Sequence, residues 1–438
     1  MPRPTARLGR SLAAACALAA AAAASPAAAV AAVPGSDDGR WYYEATGLAE
    51  IHQRTTGEGV TVAVLDGRVN TAAPDLAGAD VQPHEPAYCA PEVGGEPYAA
   101  TTTDPDGRHA TSMATMIAGT DAGTGGAEGI PGVAPGVTLR TYAIIVDGAC
   151  QTPADQDWSQ DDAMRDALAE GADIIAVPGS NNITSAAVAD ALRAGAIVIG
   201  AGGNDGAISG MPAVANGVVT TGTVTSDATL AEGSPVGSKL SVVAPGAGIR
   251  ALSGTWDAYQ TTTGSSNATA YTAGVLALLW SLHPEASAGQ LLQALVHTTD
   301  GEVRDTPAHD WEWGYGTVSV RTLLSVDPTS YPDENPFLLD DGREPLVSDV
   351  LGTSGDAPTA GPEDDASAPP VTDDSAAATD DTTDASPGFP VVPVVAGVIA
   401  LVVVGGIVIA VVLGRRRHPR SGTDPHDTPT NYSGGHHG

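Results

Sequence analysis

Six short apolar runs recur along the middle of the chain. They are GVTVAVLD (Gly59 to Asp66), LRTYAIIV (Leu139 to Val146), ADIIAV (Ala172 to Val177), AIVIGA (Ala196 to Ala201), GVVTTGTV (Gly217 to Val224) and KLSVVAPG (Lys239 to Gly246). They are rich in β-branched residues and do not alternate with polar ones, the mark of strands covered on both faces of a parallel sheet. Between some of them lie segments of helical period, DDAMRDALAEG (Asp161 to Gly171) and SAAVADALRAG (Ser185 to Gly195), each closed by a glycine. Strand–helix alternation predicts a three-layer α/β fold with a mostly parallel central sheet over residues 41–325. In such folds, sites form at the carboxyl ends of the strands.

The two ends of the chain have other patterns. Residues 1–32 carry Arg3, Arg7 and Arg10, then an Ala-rich apolar run, then small residues. That order is expected of a secretory signal peptide. Residues 391–413 are apolar and uncharged, long enough to cross a bilayer as one helix. The cluster RRRHPR (Arg415 to Arg420) follows, which predicts a short cytoplasmic tail over 414–438 and a globule on the outer side. Residues 326–388 read as a linker. Its later part, from Thr353, is rich in Asp, Pro, Ala and Thr and lacks aromatic residues, as expected of an extended tether. The expected location is the cell membrane, single-pass, with the globule outside.

Charge and cysteines refine this picture. The net charge is −33, with 19 basic residues against 52 acidic ones. No basic stripe is present, which argues against a nucleic-acid partner. Cys16 lies in the leader, leaving Cys89 and Cys150, an even number in an oxidising location. They are expected to form one disulfide, two buried thiols being the alternative. No calcium loop or phosphate loop stands out and GGHHG at the C-terminus reads as tail, so no cofactor is expected.

Four polar residues fall at predicted element boundaries. Asp66 ends the first strand. His109 lies in DPDGRHATSMATMIAG, where a loop turns into an apolar helix. Asn204 follows a strand in IVIGAGGNDG. Ser266 lies in TTTGSSNATAYTAGVLALL, again at a helix start. Each has an ordinary explanation as a turn or cap residue. As a set they supply a hydroxyl, an imidazole, a carboxylate to orient it, and a side-chain amide able to stabilise an oxyanion. The residues alone leave open whether Ser265 or Ser266 is a nucleophile or a helix cap.

The set resembles the subtilisin-like serine proteases, or subtilases. The resemblance rests on VTVAVLDG with APDL, HATSMATMIAG, GAGGNDG, VVAPGAGI, GSSNATAYTAGVLALL and WGYGTVSV, which together span the globule. It implies a subtilisin-like fold and hydrolysis of protein or peptide substrates. It also implies that Asp66 orients, His109 acts as general base, Ser266 is the nucleophile and Asn204 binds the oxyanion, with Ser265 structural. The start RWYYEATGLAEIHQRTTGEGVTVAV is similar to that of mycosins, the subtilases of actinobacterial type VII secretion. That resemblance implies a place beside a membrane secretion complex and leaves no room for a long inhibitory propeptide.

The motifs depart from the family pattern in places. Gly67 and Arg68 follow the aspartate where a hydroxyl residue is usual. Ala110 and Thr115 replace glycines after the histidine, and Ala270 replaces a proline after the serine. Pro178 lies in the segment expected to pair with substrate, where it cannot donate a backbone hydrogen bond. These departures keep a second expectation open, an inactive subtilase-fold scaffold within a secretion complex.

Overall fold

The computed structural model describes residues 38–146, 150–153, 158–179 and 181–353. The expected signal peptide, membrane span, tail and the linker beyond Thr353 lie outside the described residues. Among those described, no helix is long and apolar enough to cross a membrane.

Among the described residues, seven strands form one sheet in the order β2–β3–β1–β4–β5–β6–β7. They are β1 Thr61–Asp66, β2 Val81–Pro83, β3 Thr138–Ala143, β4 Ile174–Val177, β5 Ile197–Ala201, β6 Val219–Val224 and β7 Val242–Pro245. Every neighbouring pair is parallel. A separate antiparallel pair joins β8 Ile249–Leu252 to β9 Tyr259–Thr262. The helices are α1 Trp41–Thr46, α2 Leu48–Ile51, α3 Arg108–Ala118, α4 Gln160–Ala169, α5 Ser185–Arg193, α6 Ser265–Leu282, α7 Ala288–His297, α8 Val320–Leu323 and α9 Val347–Leu351.

The continuous apolar runs have a direct cause. Val62, Val64, Ile174, Ile197 and Ile199 pack in one core with residues of α3, α6 and α7. Their sequence neighbours Ala63, Leu65, Ile175, Val177 and Val198 pack in a second core with residues of α4 and α5. Successive strand residues point to opposite faces, so both parities must be apolar when both faces are covered. Helix α6 is buried continuously from Asn267 to Leu279, as expected of a helix apolar on all sides. At Gly274 it comes so near Val133 that a Cβ would stand 2.6 Å from that side chain.

Strand order also locates the crevice. Strands β3 and β4 follow one another in the chain but lie on opposite sides of β1. Such a switch point opens a cleft at the carboxyl end of the strand between them, and the last residue of β1 is Asp66.

One domain boundary is corrected. Residues 326–353 do not all belong to a linker. Phe337 and Val350 are buried. The Asn216 amide donates to Leu339 O and Pro345 O and accepts from Leu339 N–H, and Asn335 donates to Gly217 O at 2.8 Å. The packed domain therefore runs to the end of α9. Scattered apolar anchors, Phe337 and Val350 among them, hold the segment, a pattern too irregular to register as an element. The expected disulfide is present: Cys89 and Cys150 are bonded, with Cα atoms 4.7 Å apart.

Candidate active site

Asp66 is buried at the carboxyl end of β1. Its Oδ2 lies 2.7 Å from His109 Nδ1, and its Oδ1 accepts the Gly67 backbone N–H at 2.7 Å. Where a hydroxyl residue is usual after the aspartate, the main chain at Gly67 supplies this contact to the carboxylate. A carboxylate only accepts, so Nδ1 carries the proton, and in the neutral ring the lone pair is on Nε2. His109 is the second residue of α3, and its side chain is 51% exposed. One edge of the imidazole is therefore fixed by a buried anion while the ring remains open to a cleft.

Ser266 is the second residue of α6. Asp66, His109 and Ser266 line one cavity of about 270 Å³, together with Arg68, Asp106 and Pro178. The Ser266 hydroxyl donates to Pro178 O at 2.6 Å. Pro178 lies one residue beyond β4, and the pairings of β4 with β1 and β5 end at Ala176 and Val177. The proline therefore removes no donor from the sheet, and what it presents to the site is its carbonyl.

Ser265 has different surroundings. It is 1% exposed. Its N–H donates to Asn204 Oδ1 at 2.8 Å, and its hydroxyl accepts the Gly203 N–H at 3.1 Å. These bonds settle the orientation of the Asn204 amide, because Oδ1 faces Ser265 and Nδ2 must face the other way. Asn204 sits against the start of α6, its amide 3.3–3.4 Å from where a Cβ on Gly264 would stand. It is not among the residues lining the cavity.

A further pair was not anticipated. Arg68 donates to Asp106 at 2.5 Å and lies 5.1 Å from the centre of the Tyr98 ring. The pair walls the cavity beside His109. The acidic DPDG stretch before the histidine is the only trace of it in the sequence. Among the described residues, no cluster of acidic, histidine or cysteine side chains could hold a metal ion.

A doubly covered parallel sheet, with an aspartate, a histidine and a serine gathered at its carboxyl edge, defines a hydrolase-like α/β scaffold. Residues 57–316 match the model of the Subtilase family, and the chain belongs to that family. It is 32% identical over 259 residues to Subtilisin NAT of Bacillus subtilis subsp. natto, covering 56% of this chain and 62% of that protein. It is also 32% identical over 270 residues to Subtilisin BL of Lederbergia lenta, covering 59% of this chain and 90% of that one. Among solved structures, fervidolysin of Fervidobacterium pennivorans, a keratinolytic enzyme related to subtilisin, aligns with TM-score 0.52 and 24% identity over 66% of this chain and 46% of its own. The prenylagaramide maturation protease PagA aligns with TM-score 0.51 and 22% identity, over 64% and 98%. Both structures share the fold. The chain spans less than two thirds of the length of the subtilisins of Bacillus subtilis that it matches.

Proposed function

We propose that this chain is a serine endopeptidase held at the outer face of a membrane, acting beside a secretion complex in the manner of mycosins. The observation that carries the reading is the 2.7 Å bond between Asp66 and His109, with Ser266 in the same cavity at a helix start. In this reading Asp66 holds the imidazole and stabilises its protonated form. His109 Nε2 takes the proton of Ser266 as Oγ attacks a peptide carbonyl, then returns it to the departing amine. In this reading the oxyanion forms beside the first turn of α6, where the Ser266 backbone N–H is one donor. Asn204 Nδ2 is assigned as the second donor, its Oδ1 being held by the Ser265 N–H. The leader at 1–32 and the apolar run at 391–413 support export and anchoring.

The resting hydroxyl donates to Pro178 O, and this observation favours a second reading, the inactive scaffold. An active enzyme must turn that hydroxyl to His109 when substrate displaces the Pro178 carbonyl. A fluorophosphonate probe separates the two. The full-length protein should be labelled on Ser266, and Ser266→Ala or His109→Ala should abolish the label. A folded wild-type protein that takes no label under conditions that label a subtilisin would leave the scaffold standing. The secretion role has its own test: cells carrying Ser266→Ala at matched abundance should lose processing of an exported substrate. An unchanged profile of exported proteins would remove that role.

A further inference from the structure

A second cavity, of about 220 Å³, lies away from the cleft just described. Its apolar walls are Val218, Leu240, Tyr315 and Phe337. Three side chains that carry or can carry positive charge, Lys239, His309 and Arg343, line it as well. Val218 and Lys239 precede β6 and β7, so the cavity is at the amino ends of the strands, whereas Asp66 ends β1 and Asn204 follows the carboxyl end of β5. Part of its lining, Pro336 to Arg343, lies beyond residue 316, where the family match ends.

The charge around the cavity is unusual for this chain. Lys239 is the sole lysine in 438 residues of net charge −33. It is half-buried, yet among the described residues it makes no hydrogen bond or ion pair. Arg343 donates through Nε to both oxygens of Asp341, at 2.8 and 3.0 Å. Its two terminal nitrogens have no partner among the described residues. His309 Nε2 is 2.8 Å from Leu240 O; a carbonyl only accepts, so the ring donates there. One carboxylate therefore stands against two permanent cations, and the donors of Lys239 and the outer edge of Arg343 are unused. An apolar hollow with a few converging charged donors is the usual build of a small-ligand site.

We propose that this cavity binds an organic carboxylate with an apolar body. The carboxylate is held by Lys239 and Arg343, and the apolar part lies against Leu240, Tyr315 and Phe337. Two sources share that chemistry, a free small acid and the C-terminal end of a peptide. The site is independent of the cleft, so the proposal does not rest on proteolysis.

The test is isothermal titration of the full-length Ser266→Ala protein, which cannot turn over a peptide by the proposed mechanism. The probes are N-acetyl-leucine, N-acetyl-leucinamide and the peptide Ala-Ala-Ala-Leu with a free C-terminus. N-acetyl-leucine should bind about tenfold or more tightly than the amide, since a hydrogen bond to a charged group carries that discrimination. Lys239→Gln and, separately, Arg343→Gln should each weaken it by a similar factor, with thermal midpoints measured to show that both variants fold. Tighter binding of the peptide than of N-acetyl-leucine, lost in Lys239→Gln, would assign the site to chain ends, and equal binding would assign it to small acids. Equal affinity for acid and amide, or affinities untouched in both folded variants, would overturn the proposal. So would no heat from either acid at about 10 mM, a range in which even millimolar affinity is visible.

Discussion

Ser265 and Ser266 are adjacent in the chain, but their surroundings share nothing. Ser265 is enclosed and spends its N–H and hydroxyl on Asn204 and Gly203. Ser266 faces the cavity. The polar residues at element boundaries, taken with the resemblance to the subtilases, pointed to Asp66, His109, Asn204 and Ser266. What they could not show was the work of backbone groups. Gly67 holds the aspartate by its N–H and Pro178 holds the serine by its carbonyl; every residue carries the carbonyl and every one but proline the N–H, so the residue type does not announce either role. On the proposed mechanism, Asn204→Ala lowers kcat about 100- to 1000-fold with little change in KM, because the oxyanion exists only in the transition state. Ser265→Ala should lower kcat less, since the N–H that orients Asn204 remains. Steady-state kinetics on a peptide amide checks both, and an Asn204→Ala enzyme of wild-type kcat would remove that residue from the mechanism.

At the scale of elements, the central strands were legible because burial on both faces forces unbroken apolar runs. Strand β2 was not, since Val81–Pro83 is short, half-exposed and ends in proline. The pair β8–β9 was missed because half-exposed positions such as Gln260 and Arg250 break any clear alternation. Near the sheet edge, Arg140 and Tyr142 of β3 both donate to Glu170, which caps α4, and His84 lies 2.9 Å from the same carboxylate. Burial raises the pKa of Glu170, but the hydrogen bonds from Tyr142 and His84 and the charges of His84 and Arg140 outweigh it and leave a net lowering from 4.5. A carboxyl group whose folded pKa is lowered stabilises the fold above its unfolded pKa. That contribution is lost as pH falls through about 4.5 toward the lower folded value. Urea midpoints from pH 7 to pH 3 should therefore fall less steeply in Glu170→Gln than in wild type, and parallel curves would contradict this. The disulfide acts on the same region. Cys89→Ser with Cys150→Ser should lower stability by about 2–4 kcal/mol in urea unfolding, and an unchanged midpoint would show that the bond does not brace the fold.

For the whole molecule, the packed domain extends past the last recognisable motif to α9. The sequence suggested a linker from residue 326 because Asp, Glu and Pro are frequent there. Composition averages over a window and hides a short apolar cluster such as Phe337 to Leu339, set among acidic residues and proline. Phe337→Ala should cost about 3 kcal/mol, the usual scale for removing a buried aromatic ring, read as a lower midpoint in urea. A midpoint equal to wild type would mean that the segment only lies on the surface. The disulfide has one more consequence. His109 lies inside the covalent ring closed between Cys89 and Cys150, 61 residues apart, and Asp66 and Ser266 lie outside it. A peptide bond cut anywhere within that ring releases nothing, because both new ends stay attached through sulfur. On the proposed export the chain meets proteases, its own kind included, and this stretch can be nicked without the histidine leaving the molecule. Such a nicked chain would run as one band on a gel without reductant and as two with it.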